Sequence, residues 1–183
     1  RSSAMPNNNS KIEEKGEFIL PEKNDTYKHI IAYLIHTRGI NKNIVYNCIY
    51  NKTLYEDKNR NCVFVGYDKE GIPKYAGLRG TNTNRVFKGE VENSNKAFSF
   101  NISSTTNRLF VFESPIEIMS YLTLKKQAGD IEFNHHMLSL GCLAPVALNN
   151  YLEVNPNIEE INLCLNNDKW GIKAAKEIKE NLK

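Results

Sequence analysis

RLFVFESPIEIMSYL at 108–122 and EEINLCLNNDKWGIKAAKEI at 159–178 decide the fold. Each opens with an apolar run, turns polar within a residue or two, and resumes with apolar residues at helical spacing. Apolar runs without polar alternation indicate strands covered on both faces, and strands that alternate with helices indicate a parallel sheet. A third such run, 136–140, ends at Leu140-Gly141. The spacing predicts strands at 108–112, 136–140 and 160–165, with helices over about 115–128, 145–154 and 169–182.

Upstream the rhythm is different. Residues 25–38 have Tyr27, Ile30, Ile31, Leu34 and Ile35 on one helical face, with Asp25 or Thr26 as the cap and Gly39 as the stop. Asn41 caps a second short helix carrying Ile44, Val45, Cys48 and Ile49. CVFVGYD (62–68) and IPKYAGLRG (72–80) read as a hairpin closed by a four-residue turn, Asp68-Lys69-Glu70-Gly71. Residues 81–96 read as a long loop and 97–102 as a short strand. The expected organisation is a lead at 1–17 that resembles a cloning scar, an α+β subdomain at 18–104, and a parallel α/β domain at 105–183. A three-stranded sheet is small, so a C-terminal piece is expected to be missing.

The chemistry falls at strand ends. In an open parallel sheet, ligands bind beyond the carboxyl ends of the strands, and carboxylates gathered there can hold Mg²⁺ against phosphate oxygens. Glu113 follows the first strand, and Asn166 and Asp168 follow the last. Ser114-Pro115-Ile116-Glu117 is a capping box with proline at the first helical position, so Glu117 reads as structural. Glu113 is not needed by that box and is the stronger functional candidate. Asp168 is compatible with a ligand or with the N-cap of the last helix.

Charge is unevenly spread. Residues 1–100 carry 16 Lys+Arg against 11 Asp+Glu, and the remainder carries 8 against 10. Lys74, Arg79, Arg85 and Lys88 fall in a 15-residue stretch without an acid. A basic stretch facing an acidic half suits a polyanion, with a solvated loop as the alternative. Cys48, Cys62, Cys142 and Cys164 form no C-x-x-C pair and read as core residues in a reducing, cytoplasmic setting. His135-His136 would point to opposite faces of a strand, which is poor spacing for a metal. No apolar run approaches a membrane span.

These two stretches together resemble the Toprim domain, the phosphoryl-transfer module of bacterial primases, type IA and II topoisomerases and OLD-family nucleases. Its pattern is a strand ending in Glu-Gly, then a strand ending in Asp-x-Asp before a Gly-containing helix. Glu113 matches the glutamate, Ser114 stands for the glycine, Asn166 for the first aspartate, and Asp168 matches the second. AYLIHTRGI (32–40), NCVFVGYDKEGIPKYAGLRGT (61–81) and VFKGEVENSNKAFSF (86–100) are similar to an uncharacterised domain preceding Toprim in primase-like proteins of mobile elements. The resemblance implies a Rossmann-like parallel Toprim sheet, C-terminally truncated, behind a small α+β subdomain. It implies Mg²⁺ held by Glu113, Asn166 and Asp168, with Glu113 and Asp168 catalytic in a DNA primase-type nucleotidyltransferase. The amide at Asn166 removes one charge from such a site, so weak Mg²⁺ binding and an inactive isolated chain are expected. Lys74, Arg79, Arg85 and Lys88 would contact single-stranded DNA or a DNA/RNA primer-template during replication of a plasmid or mobile element, alongside replication proteins. The alternatives are a catalytically degenerate nucleic-acid-binding or scaffolding module and a metal-dependent OLD-type nuclease.

Overall fold

The computed structural model describes residues 16–141 and 145–182; the reading of Cys142 and of most of the lead lies outside them. Among the described residues, two four-stranded sheets and five α-helices pack around three hydrophobic cores, one of which both sheets share. The first half begins with α1 (Lys28–Ile31), which continues as a π-helical stretch, Ala32–Thr37, and stops at Gly39 with φ +69°. Next come α2 (Lys42–Tyr50), β1 (Leu54–Glu56), β2 (Asn61–Tyr67), β3 (Pro73–Gly80) and β4 (Lys88–Glu90). These strands form an antiparallel sheet in the order β1-β2-β3-β4. The expected loop at 81–96 thus contains a strand, hidden by the Gly89 at its centre.

The second half has β5 (Asn101–Ile102), β6 (Arg108–Phe112), α3 (Pro115–Gln127), β7 (His136–Ser139), α4 (Val146–Val154), β8 (Glu160–Leu163) and α5 (Lys169–Asn181). Its order is β5-β7-β6-β8. β6 pairs parallel with both β7 and β8, but β5 pairs antiparallel with β7. The sheet is therefore mixed, not the purely parallel sheet expected. A parallel neighbour needs a crossover of a dozen or so residues, and only 103–107 separate β5 from β6, so the chain must reverse. Residues 97 and 98, expected as the start of a strand over 97–102, belong to a 3₁₀ turn, Lys96–Phe98, instead.

Alternation along β6 explains its unbroken apolar sequence. Phe110 and Phe112 enter the core formed with α1, α2, Phe64 and α3, whereas Leu109 and Val111 enter a second core with α4 and Ile178 of α5. The first of these cores runs from Ile30 and Leu34 through Cys62 and Phe64 to Met119 and Met137, so both sheets close on the same interior. Where they meet, β2 runs hard against the 3₁₀ turn: a Cβ on Gly66 would lie 1.6 Å from the Phe98 carbonyl oxygen. That backbone contact sets how closely the two sheets approach.

Candidate nucleic-acid interface

The carboxyl ends of β6 and β8 place Glu113 beside Asn166. Glu113 Oε1 accepts from the Asn166 backbone N–H at 2.9 Å, and Oε2 accepts from Asn166 Nδ2 at 2.9 Å. The same Nδ2 donates to Glu117 Oε1 at 3.3 Å. Glu117 Oε2 in turn accepts from the Glu113 and Ser114 N–H groups, at 3.1 and 3.3 Å. Both halves of the expected capping box are present. Glu117 therefore does more than its sequence context indicated, capping α3 while bracketing the amide that faces Glu113. Asp168 caps α5, accepting from the Gly171 N–H at 2.8 Å. Gly171 fits there because it lacks a side chain: a Cβ would lie 2.0 Å from Asn166 O and 2.9 Å from Glu113 Oε1.

The donor set decides whether a cation fits. A hard divalent ion needs oxygens converging on one point. Here an NH₂ group points into the space between Glu113 and Glu117, and the Asp168 carboxylate is engaged by its own helix. Among the described residues, no group of three or more His, Cys, Asp or Glu side chains could hold a metal. This arrangement does not fit Mg²⁺.

Next to this corner a cleft of about 490 Å³ opens between the sheets. One wall carries Arg38, Arg79 and Lys88, with Glu90 beside Lys88 on the same strand and engaged by Tyr75 Oη and Lys96; the other carries Glu113, Glu117 and Gly141. Arg79 and Lys88 are paired directly across β3 and β4. Two like charges at opposed positions repel, a cost that an anion between them would relieve. Arg79 is also steadied by a 3.1 Å hydrogen bond from Nε to Tyr33 Oη.

The four expected basic residues are not all brought together. Arg79 and Lys88 line the cleft; Lys74 sits at the other end of β3, 3.8 Å from Asp68; Arg85 lines a separate hollow with Arg60 and Phe87. Arg38 and Arg60 carried no charge-pattern signal of their own. The Arg-Gly at 38–39 within AYLIHTRGI was the trace of the first. His135 and His136 do point apart: His135 stacks on Phe110, and buried His136 hydrogen-bonds Tyr151 Oη at 2.8 Å and Thr106 O at 3.1 Å. Cys48 and Cys62 are buried and Cys164 half-buried, all as free thiols; burial pushes the Cys48 thiol up to about 11. No described helix is long and apolar enough to cross a membrane.

No curated protein matches the chain. Among solved structures it is similar to the DnaG primase catalytic domain bound to ssDNA, with 13% identity, a TM-score of 0.51, and coverage of 86% of this chain and 62% of that one. It is also similar to the DnaG catalytic core, with 16% identity, a TM-score of 0.49 and coverage of 79% and 56%. The E. coli primase catalytic core gives 17% identity, a TM-score of 0.43 and coverage of 85% and 56%. The chain spans between 56% and 62% of the length of these structures. At such identities the likeness to the ssDNA-bound structure is one of fold. Two family models divide the chain: residues 32–106 match a domain described as a protein of unknown function, DUF3991, and the residues that follow it, 110–183, carry a Toprim-like domain.

Proposed function

We propose that the protein binds single-stranded nucleic acid in the cleft between its two sheets, as a primase-like Toprim core whose acidic corner is held by an amide rather than a cation. The observation that carries this reading is the opposed pair Arg79 and Lys88, two cations set side by side on the wall of a cleft that Arg38 also lines. A strand threaded there would place phosphates against these three side chains. The solved structure of the same fold that holds ssDNA supports the choice of ligand. Nucleotidyl transfer through Glu113 and Asp168, in replication of a mobile element, is the second reading. Its support is that both carboxylates abut Gly171.

Salt titration tests the first reading. Each phosphate contact to a single strand contributes about −0.7 to the slope of log affinity against log salt. Arg79→Glu with Lys88→Glu should weaken binding of an oligothymidylate about tenfold or more and flatten the slope by roughly 1.4. Unchanged affinity in the double variant would remove the cleft from the binding surface.

Asn166→Asp tests the second. It exchanges a donor for a third carboxylate facing Glu113 and Glu117, so the protein should lose about 1 kcal/mol in chelator. Added Mg²⁺ should then raise its melting temperature more than that of the wild type. An equal Mg²⁺ response in both proteins would leave nucleotidyl transfer without a metal site.

A further inference from the structure

A second basic hollow, of about 560 Å³, lies on the far side of the β3–β4 connection from the cleft. Arg60, Arg85, His29, Asn61, Asn82 and Phe87 line it, together with glycine, threonine and a further asparagine, and none of its lining residues is acidic. Two buried carboxylates are engaged by residues that line the hollow. Asp57 accepts from the Asn61 N–H and Nδ2 at 2.8 and 3.0 Å, and Glu56 faces His29 Nδ1 at 2.7 Å. Among the described residues, neither Arg60 nor Arg85 has an acidic side chain within ion-pair distance, and both are exposed.

Two features set this hollow apart from a solvated basic loop. Arg60 adopts φ +63°, closing the four-residue connection between β1 and β2, 57–60, in a conformation where glycine is preferred. The turn thus carries a guanidinium where a smaller residue would fit more easily, and Thr81 Oγ1 ties it down by donating to the Arg60 carbonyl at 2.9 Å. Phe87 lies against Gly80 and Gly89. A Cβ on Gly80 would lie 3.0 Å from Phe87 Cβ, and one on Gly89 would lie 3.2 Å from Phe87 Cζ. Phe87 fills the space these glycines leave and is 44% exposed. A partly exposed aromatic side chain, beside cations with no acidic partner among the described residues, is a platform for an unstacked base and its phosphate.

We infer that this hollow is a second contact point for the same single strand: one base stacks on Phe87, and the adjoining phosphate is held by Arg60 and Arg85. Lys88 follows Phe87 directly and points into the cleft, so the strand passes from one site to the other over β4. The inference rests on the proposed cleft for its ligand but not for its residues, which are different.

The test uses the full chain and a fluorescein-labelled oligothymidylate of about 16 nucleotides, long enough for both sites. Phe87→Ala should cost about tenfold in affinity, and Phe87→Trp should retain it, because stacking tolerates any aromatic face. Arg60→Ala with Arg85→Ala should flatten the salt slope by roughly 1.4. A single abasic nucleotide moved along the oligomer should weaken binding to unmodified protein at one position and leave Phe87→Ala unaffected there. A uniform abasic effect, or wild-type affinity in either the Phe87→Ala or the arginine variant, overturns the inference. If those variants bind normally while the Arg79→Glu, Lys88→Glu protein does not, the hollow fails and the cleft stands. The reverse pattern rejects the cleft and keeps the hollow, and wild-type binding in every variant rejects both.

Discussion

Glu56→Ala is expected to cost about 3–5 kcal/mol of stability, the scale for breaking a buried, fully hydrogen-bonded charge. Glu56 is 1% exposed, in the middle of the first half's core. Its Oε2 accepts from the N–H groups of His29 and Ile30 at 3.0 and 3.1 Å, at the open end of α1. Its Oε1 accepts from Asn24 Nδ2 and meets His29 Nδ1, both at 2.7 Å. Alanine would leave the buried Ile30 N–H and the half-buried groups of His29 and Asn24 without this partner, and the first helix would lose its anchor to β1. Thermal melts should show a drop of roughly 10 °C or more. A variant that melts with the wild type would mean that α1 is held by packing alone.

The same residue sets a pH dependence. Burial pushes the Glu56 carboxyl up, but the hydrogen bonds from His29, Ile30 and Asn24 outweigh it and hold the group below its ordinary 4.5. A depressed carboxylate contributes stability that is present above its unfolded value and lost as pH falls through the folded one. His136 adds an earlier stage. Burial lowers it from 6.5, against the opposing pull of its hydrogen bond to Thr106, so it takes up its proton at lower pH in the fold than in the unfolded chain. Stability should therefore begin to fall below about pH 6.5 and fall again below about 4.5. His136→Gln should remove the first stage and leave the second. A single transition in the wild type, at the lower pH only, would reject the role given to His136.

Gly171→Ala is the second large effect, expected to cost about 2–3 kcal/mol through overpacking. The new methyl would meet Asn166 O at 2.0 Å, and backbone gives way less readily than a side chain. The first turn of α5 must move away, drawing the Asn166 N–H off Glu113 Oε1. Amide exchange at Asn166 should quicken, and the melting temperature should fall by roughly 5 °C or more. Unchanged exchange at Asn166 would show that the turn tolerates the methyl, and that Gly171 does not hold the corner closed.

Much of this was legible in the sequence, and for definite reasons. The run 108–112 is apolar at every position but its first because alternate residues enter two different cores, and that pattern read directly as a strand covered on both faces. Ser114-Pro115-Ile116-Glu117 announced a helix start because a capping box closes within four residues. Asp168 as the cap of α5 was readable for the same reason. These are local bonds, and local spacing predicts them. β4 and β1 were not readable, being three residues each and defined only by a neighbouring strand.

What tertiary structure alone decided involves partners distant in sequence. Asp25 and Thr26 had the spacing of helix caps, yet the anion at the N-terminus of α1 is Glu56, delivered by a strand formed 26 and 27 residues later. Lys74, Arg79, Arg85 and Lys88 are neighbours along the chain, but hairpin register puts only Arg79 and Lys88 side by side. Strand alternation and the turn send Lys74 to an ion pair and Arg85 to another hollow. Asn166 is the sharpest case. The sequence determined that an amide, and not a carboxylate, stands at position 166. Only the fold decided which way that amide faces. Packing Gly171 against the Asn166 turn presses it onto Glu113 and Glu117, where two carboxylates accept its N–H₂ in the space a cation would need.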